Sequence, residues 1–292
     1  MSEAPKPSHI AAALLAVYLI WGSTYYAIKL ALPDYPPFLL TGIRMTFAGG
    51  LMLLWLYYRR YPLPKPAQWR AIFILAAVMT VLSNAFVNIA EQSVSSGVVA
   101  IGVAAMPLWA GVFAAMRGYH PNRIEWSGLL LGFAGVIWLN LGSELRVSGI
   151  GLLCVIAAPM AWAWGSMWSK DRDLPEPLVL AAWQMAIGSV MSLVVGFAIG
   201  ERFTQVPGIQ ATLAMLYLAF FGSIIGYSAF VWLIKHVRPA LATSYAYVNP
   251  PIALLLGVWL LDEPLNSHTL VAMALILISI GIVALGKRLH NG

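Results

Sequence analysis

Asn84 and Asn88 stand four residues apart in an otherwise apolar stretch, a spacing that stacks them on one face of a helix. The same spacing separates Trp21 from Tyr25, Trp164 from Trp168, Ser228 from Trp232 and Tyr245 from Asn249. Amides and hydroxyls can grip the polar groups of a small solute. Indole and phenol rings offer apolar area and a π face that attracts an ammonium. An unpaired amide in hydrocarbon costs on the order of several kcal/mol, so these groups must face protein or water. A cavity lined by Trp21, Tyr25, Asn84, Asn88, Trp164, Trp168, Ser228, Tyr245 and Asn249 would suit a neutral or zwitterionic solute with an apolar side chain. The competing roles are hydrogen bonding between helices for the amides and an interfacial belt for the rings. Trp55, Tyr57, Tyr58, Tyr61, Trp69 and Trp126, near the ends of apolar runs, read as belt.

Arg44 lies inside an apolar run, where an arginine needs a partner. It could meet a solute carboxylate or a carbonyl, or extend its long side chain to the interface. Gln184 occupies the approximately matching place in the second half. No Asp or Glu falls mid-run; Glu91, Asp262 and Glu263 lie toward the ends, as do all five histidines. Proton exchange at a central carboxylate is therefore not expected, and flux down the solute's own gradient is. Catalysis has little to work with. No histidine is placed to meet a serine at depth, no His-Glu-x-x-His pattern occurs, and Cys154 is the single cysteine. Neither a cofactor nor a metal site is expected.

The elements that must position these residues follow from composition. Of 292 residues, 61% are hydrophobic and 10% charged, against about a quarter charged in an ordinary soluble domain. That excludes a water-soluble enzyme and a disordered chain. The net charge of +6 comes from basic residues too scattered to form a nucleic-acid patch. A helix needs roughly 20 mostly apolar residues to cross a bilayer. Ten stretches qualify: 9–30, 38–58, 69–89, 95–116, 125–142, 149–168, 177–199, 209–234, 240–261 and 267–286. The apolar run from Ile10 to Leu32 is too long for a cleaved leader, so the first helix is expected to be retained. With the N-terminus inside, thirteen of the seventeen lysines and arginines fall on the cytoplasmic side. Only Lys29, Arg146 and Arg202 fall opposite, with Arg44 in a span. The positive-inside rule then places both termini in the cytoplasm.

The chain also repeats itself. At an offset of 144, Ala85-Phe86-Val87 falls on Ala229-Phe230-Val231, Pro107 on Pro251 and Gly142 on Gly286. At 143, Trp21-Gly22-Ser23 falls on Trp164-Gly165-Ser166. The expected units are 1–146 and 147–292, five helices each. An odd helix number forces the copies to lie upside down relative to one another, a transporter design with a shared midplane site and alternating access. Pro107 and Pro251 each remove a helical hydrogen bond and are candidate hinges. Gly128/Gly132 and Gly222/Gly226 are expected to serve close helix approach.

The stretches Trp21-Gly22-Ser23, Lys29 and Arg44 resemble the start of an EamA domain. Ala242-Thr243-Ser244, Asn249-Pro250-Pro251, Leu261-Asp262-Glu263-Pro264 and Gly281-Ile282-Val283 resemble its end. Two such domains make up the ten-helix members of the drug/metabolite transporter superfamily. The resemblance implies an all-α, multi-pass protein of the bacterial inner membrane, working on a small-molecule substrate in the lipid bilayer, and a monomer is compatible with it. Within the superfamily the likeness is greatest to exporters of aromatic and other neutral amino acids. Hydrophobic drugs or metabolites such as purines are the alternative cargo, and an intramembrane enzyme is a distant one. One departure stands out: the fourth helix should end in an acidic residue, but Arg117-Gly118-Tyr119-His120 stands there.

Overall fold

The computed structural model describes residues 6–118, 121–141, 149–237, 241 and 244–290, and all regular structure among them is helical. The 146/147 boundary, Arg146, His120 and Arg238 lie outside them. Helical stretches fall within each expected span. They are α1 (Pro7–Ala31), α2 (Pro37–Tyr58), α3 (Pro66–Glu91), α4 (Ser96–Met116), α5 (Arg123–Asn140), α6 (Gly149–Ser169), α7 (Pro177–Ala198), α8 (209–236), α9 (Tyr245–Leu261) and α10 (Ser267–His290). Seven of these, α1 to α4 and α6 to α8, are long and apolar enough to cross a membrane, while α9 and most of α10 form shorter apolar helices. Proline opens α1, α2, α3 and α7, where its missing N–H is no loss and its fixed φ suits the first turn.

Two interruptions shape the bundle. In α3 the stretch Ala76–Ser83 is π-helical, and in α8 so is Leu218–Ile225. The two π stretches lie 142 residues apart, at corresponding places in the two halves. The prolines behave differently from each other. The first helical segment of α4 ends before Ala104-Ala105, and Pro107 sits in the first turn of the second (Met106–Met116). Pro251, by contrast, follows Pro250 inside an unbroken α9.

The most extensive helix pairings are α5 with α10 and α2 with α7, and each helix thus packs on its sequence counterpart. The other pairings recur in twos: α1 meets α9 and α8 as α6 meets α4 and α3, and α2 meets the π stretch of α8 as α7 meets that of α3. Glycine permits the closest approaches. A Cβ at Gly128 would lie 3.0 Å from the Ser279 carbonyl oxygen on α10, and one at Gly49 would lie 2.7 Å from the Ala186 backbone nitrogen on α7.

On one face, the turns after α1, α3, α7 and α9 interlock through acidic side chains that cap helix N-termini. Asp34 accepts from Gly208 N–H (2.7 Å) ahead of α8, and Glu201 from Phe38 and Leu39 N–H (3.1 and 2.9 Å) in α2. Glu263 accepts from Ser96 N–H (2.7 Å), Ser96 Oγ (2.8 Å) and Gly97 N–H (3.3 Å) in α4. Asp262 ends α9 in the left-handed conformation (φ 53°), which turns Glu263 back toward α4. Each of these contacts joins the first half of the chain to the second. This face is called distal below.

Candidate solute cavity

The π stretches and their flanks line a cavity of about 190 Å³. At about 10–15 Å³ of such space per water, that is room for on the order of a dozen waters, or for a small organic solute. Its wall takes Trp21, Tyr25 and Thr24 from α1, Arg44 from α2, and Thr80, Ser83 and Asn84 from α3. The second half supplies Trp162, Gln184, Ser223, Tyr227, Tyr245 and Asn249. Apolar residues of α1, α2, α3, α4, α7, α8 and α9 fill the rest. No described lining residue is Asp, Glu, Lys or His, so Arg44 is the one charge among them.

The π geometry explains how the polar groups are held. A π turn leaves carbonyls out of the ordinary i to i−4 ladder, and side chains take them up. Asn84 Nδ2 donates to the carbonyl oxygens of Met79 (3.1 Å) and Thr80 (3.0 Å), and Ser223 Oγ donates to Leu218 O (3.1 Å). The α2 and α7 side chains then reach across to the other half's π stretch. Arg44 Nε donates to Ser223 Oγ at 2.9 Å, and Gln184 Nε2 donates to Thr80 Oγ1 at 3.2 Å. Arg44 is buried and forms no ion pair; among the described residues the ion pair is Arg117–Asp171, elsewhere on the surface. Asn249 Oδ1 is a buried acceptor without a hydrogen-bond partner.

The aromatic wall is braced edge-on. Trp21 packs against Tyr245 at 4.9 Å between ring centroids and against Phe230 at 5.2 Å, while its Nε1 donates to Gly222 O at 3.0 Å. Gly226 admits the indole, since a Cβ there would lie 2.5 Å from Trp21 Nε1, whereas a Cβ at Gly222 would meet Thr24 Cγ2 at 3.1 Å. Both glycines sit at close approaches, and the ring that Gly226 admits forms part of the wall.

Of the residues singled out from sequence, Trp21, Tyr25, Arg44, Asn84, Tyr245 and Asn249 come together here. Four do not. Asn88 is buried, and its Nδ2 donates to Pro37 O and Thr41 Oγ1 (both 2.9 Å), tying α3 to the first turns of α2. Trp164 is 37% exposed and stacks on Trp168 at 5.8 Å, and Trp168 carries the Arg172 guanidinium at 4.5 Å. Trp162 faces the cavity, and two positions along an α-helix turn a side chain through about 200°, so Trp164 faces away. Ser228 is half-buried off the wall, where Ser223 and Tyr227 stand instead, because the π stretch shifts the register that a 3.6-residue period assumes. Neither Pro107 nor Pro251 lines the cavity, although Pro250 does. Thr80, Ser83 and Ser223 left no mark in the sequence: a hydroxyl can bond its own helix, so its burial requires no partner elsewhere.

The chain matches the model of the EamA-like transporter family twice, over residues 9–141 and 149–285. It is 37% identical over 278 residues to the uncharacterized inner membrane transporter YedA of Escherichia coli K12, covering 95% of this chain and 91% of that protein. Identity to the uncharacterized transporter YvbV of Bacillus subtilis is 27% over 287 residues, 97% of this chain and 93% of that one. A crystal structure at 20% sequence identity superposes with a TM-score of 0.69, covering 98% of this chain and all of the other, which speaks to the fold alone.

Proposed function

The chain belongs to the EamA-like transporter family, a multi-pass protein of the inner membrane, and from that premise we propose that it exports neutral, chiefly aromatic, amino acids. The observation that carries this reading is Arg44, a buried cation without an ion-pair partner in an otherwise uncharged aromatic cavity. A guanidinium held by Ser223 presents its remaining N–H groups as a fork suited to a carboxylate. In the same wall, the unpaired Asn249 Oδ1 and the rings of Trp21 and Tyr245 suit an ammonium and an apolar side chain. A zwitterion with an aromatic side chain meets all three demands.

Two inverted five-helix units, 1–146 and 147–292, would share this cavity and exchange conformations to expose it alternately. The paired packing of helices supports that reading. The uncharged remainder of the wall supports flux down the solute's own gradient. A hydrophobic cation fits less well, because Arg44 would repel it; an uncharged metabolite such as a purine would leave Arg44 unpaired.

The test is counterflow in proteoliposomes with labelled tryptophan, competed by tryptamine, which lacks the carboxylate, and by indole propionate, which lacks the amine. Indole propionate should compete and tryptamine should not. Arg44→Gln should weaken tryptophan uptake by about 10- to 100-fold, the worth of a charged hydrogen bond. Tryptamine competing as well as tryptophan, with Arg44→Gln silent, would sink the proposal.

A further inference from the structure

The row of α3 that lines the cavity does not stop at the cavity. Asn84 and Val87 belong to the wall, and Glu91 continues the same helix face one turn nearer the distal end. Glu91 is wholly enclosed, at 0% exposure, and neither of its carboxyl oxygens has a hydrogen-bond partner. Charged groups surround it without pairing. Lys29, from α1, donates Nζ to the backbone oxygens of Glu91 (2.7 Å) and Val94 (2.9 Å), closing the end of α3, and forms no ion pair with the carboxyl. Glu263, from the turn after α9, lies within electrostatic reach but is committed to the start of α4. Tyr25, from α1, also lies within electrostatic reach of Glu91. Of the other helices against this part of α3, α2 brings Arg44 in the cavity wall, α6 only Cys154, and α4 no charged residue.

A second unpaired acceptor, Asn88 Oδ1, is three residues back and so on the neighbouring strip of the same helix. An ionised carboxylate can only accept hydrogen bonds, whereas a protonated one also offers an O–H. This enclosure contains acceptors in want of a donor, the setting for the neutral acid.

We propose that Glu91 is a proton-binding site on the solute path. It carries its proton while the distal seal is shut, and gives that proton to water when the seal opens. The seal comprises Tyr25, Val94 and Val98, all buried around the end of α3. Once ionised, the carboxylate would sit in an enclosure where neither of its oxygens receives a hydrogen bond and Lys29 is already committed to two backbone oxygens, so the seal recloses only after a proton returns. Proton release and return use the same opening. The site therefore sets how readily the distal side opens and does not drive solute uphill. This inference rests on the family assignment and not on the choice of solute.

The experiment needs no substrate. Val94→Cys is introduced into a Cys154→Ala background, reconstituted in nanodiscs and labelled with a membrane-impermeant maleimide from mildly acidic to mildly alkaline pH. Rates are divided by those of the same cysteine in denatured protein, which removes the thiol's own titration. The corrected rate should rise with pH, by up to about tenfold per unit for a one-proton gate. Adding Glu91→Gln should leave labelling slow at every pH. A corrected rate that is flat in the Glu91 protein overturns the proposal without any further variant. A pH response that survives Glu91→Gln overturns it equally.

Discussion

Trp162 and Trp164 show how fine the resolution of function is at the scale of one residue. Both are tryptophans on α6, yet only Trp162 reaches the cavity, while Trp164 stacks on Trp168 in a 37% exposed position. Trp162→Ala should therefore weaken solute counterflow by about 5- to 30-fold, the usual worth of a buried aromatic contact. Trp164→Ala should stay within about twofold of the parent, and the reverse order would mean that the wall is misassigned. Asn88 separates structure from recognition in a similar way. Its amide bonds Pro37 O and Thr41 Oγ1, so Asn88→Ala should cost about 1–3 kcal/mol of stability, read as a lower Tm in detergent, with the KM for solute little changed. The i, i+4 spacing put Asn84 and Asn88 on one side of a helix, but spacing could not say which neighbour that side would meet.

At the scale of elements, the matched π stretches of α3 and α8 decide which polar groups reach the cavity. Hydropathy reads both as ordinary apolar helix, since one extra residue in a turn leaves composition untouched. Gly222 and Gly226, within and just after the second stretch, are legible as close-approach positions, and the structure supplies what approaches Gly226: the Trp21 indole, which donates to Gly222 O. Gly226→Val would drive branched carbon into that ring. The expected result is a loss of about 1–3 kcal/mol from overpacking, together with a change in tryptophan emission, whereas Gly50→Val, with open space around it, should do neither. Equal effects from the two substitutions would show that Trp21 does not depend on Gly226. The aligned Pro107 and Pro251 illustrate the opposite lesson. Identical residues at repeat-related positions give a break in one helix and a continuous turn in the other, because neighbouring packing determines whether the lost hydrogen bond becomes a kink.

At the scale of the whole molecule, the interlocked distal face and the helix pairings join the first half of the chain to the second around one cavity, and the proposal of two flipped units puts both termini on one side. Tags at residues 1 and 292 should be modified from the same side of intact vesicles, and modification from opposite sides would exclude an even number of crossings. Composition and hydropathy alone determined that this chain lives in a bilayer as helices, because hydrocarbon admits few charges and no unpaired backbone. Its internal likeness and its positive residues similarly suggested two copies and an orientation. Tertiary structure alone decided that Asn249 borders the cavity while Asn88 braces a helix, and that Glu91, near the end of its span, is fully enclosed. The physical reason is that a solvent such as lipid selects residues by type, which sequence records directly. A site, however, is made by side chains from distant parts of the chain, and their meeting depends on helix rotation and register that no single stretch encodes.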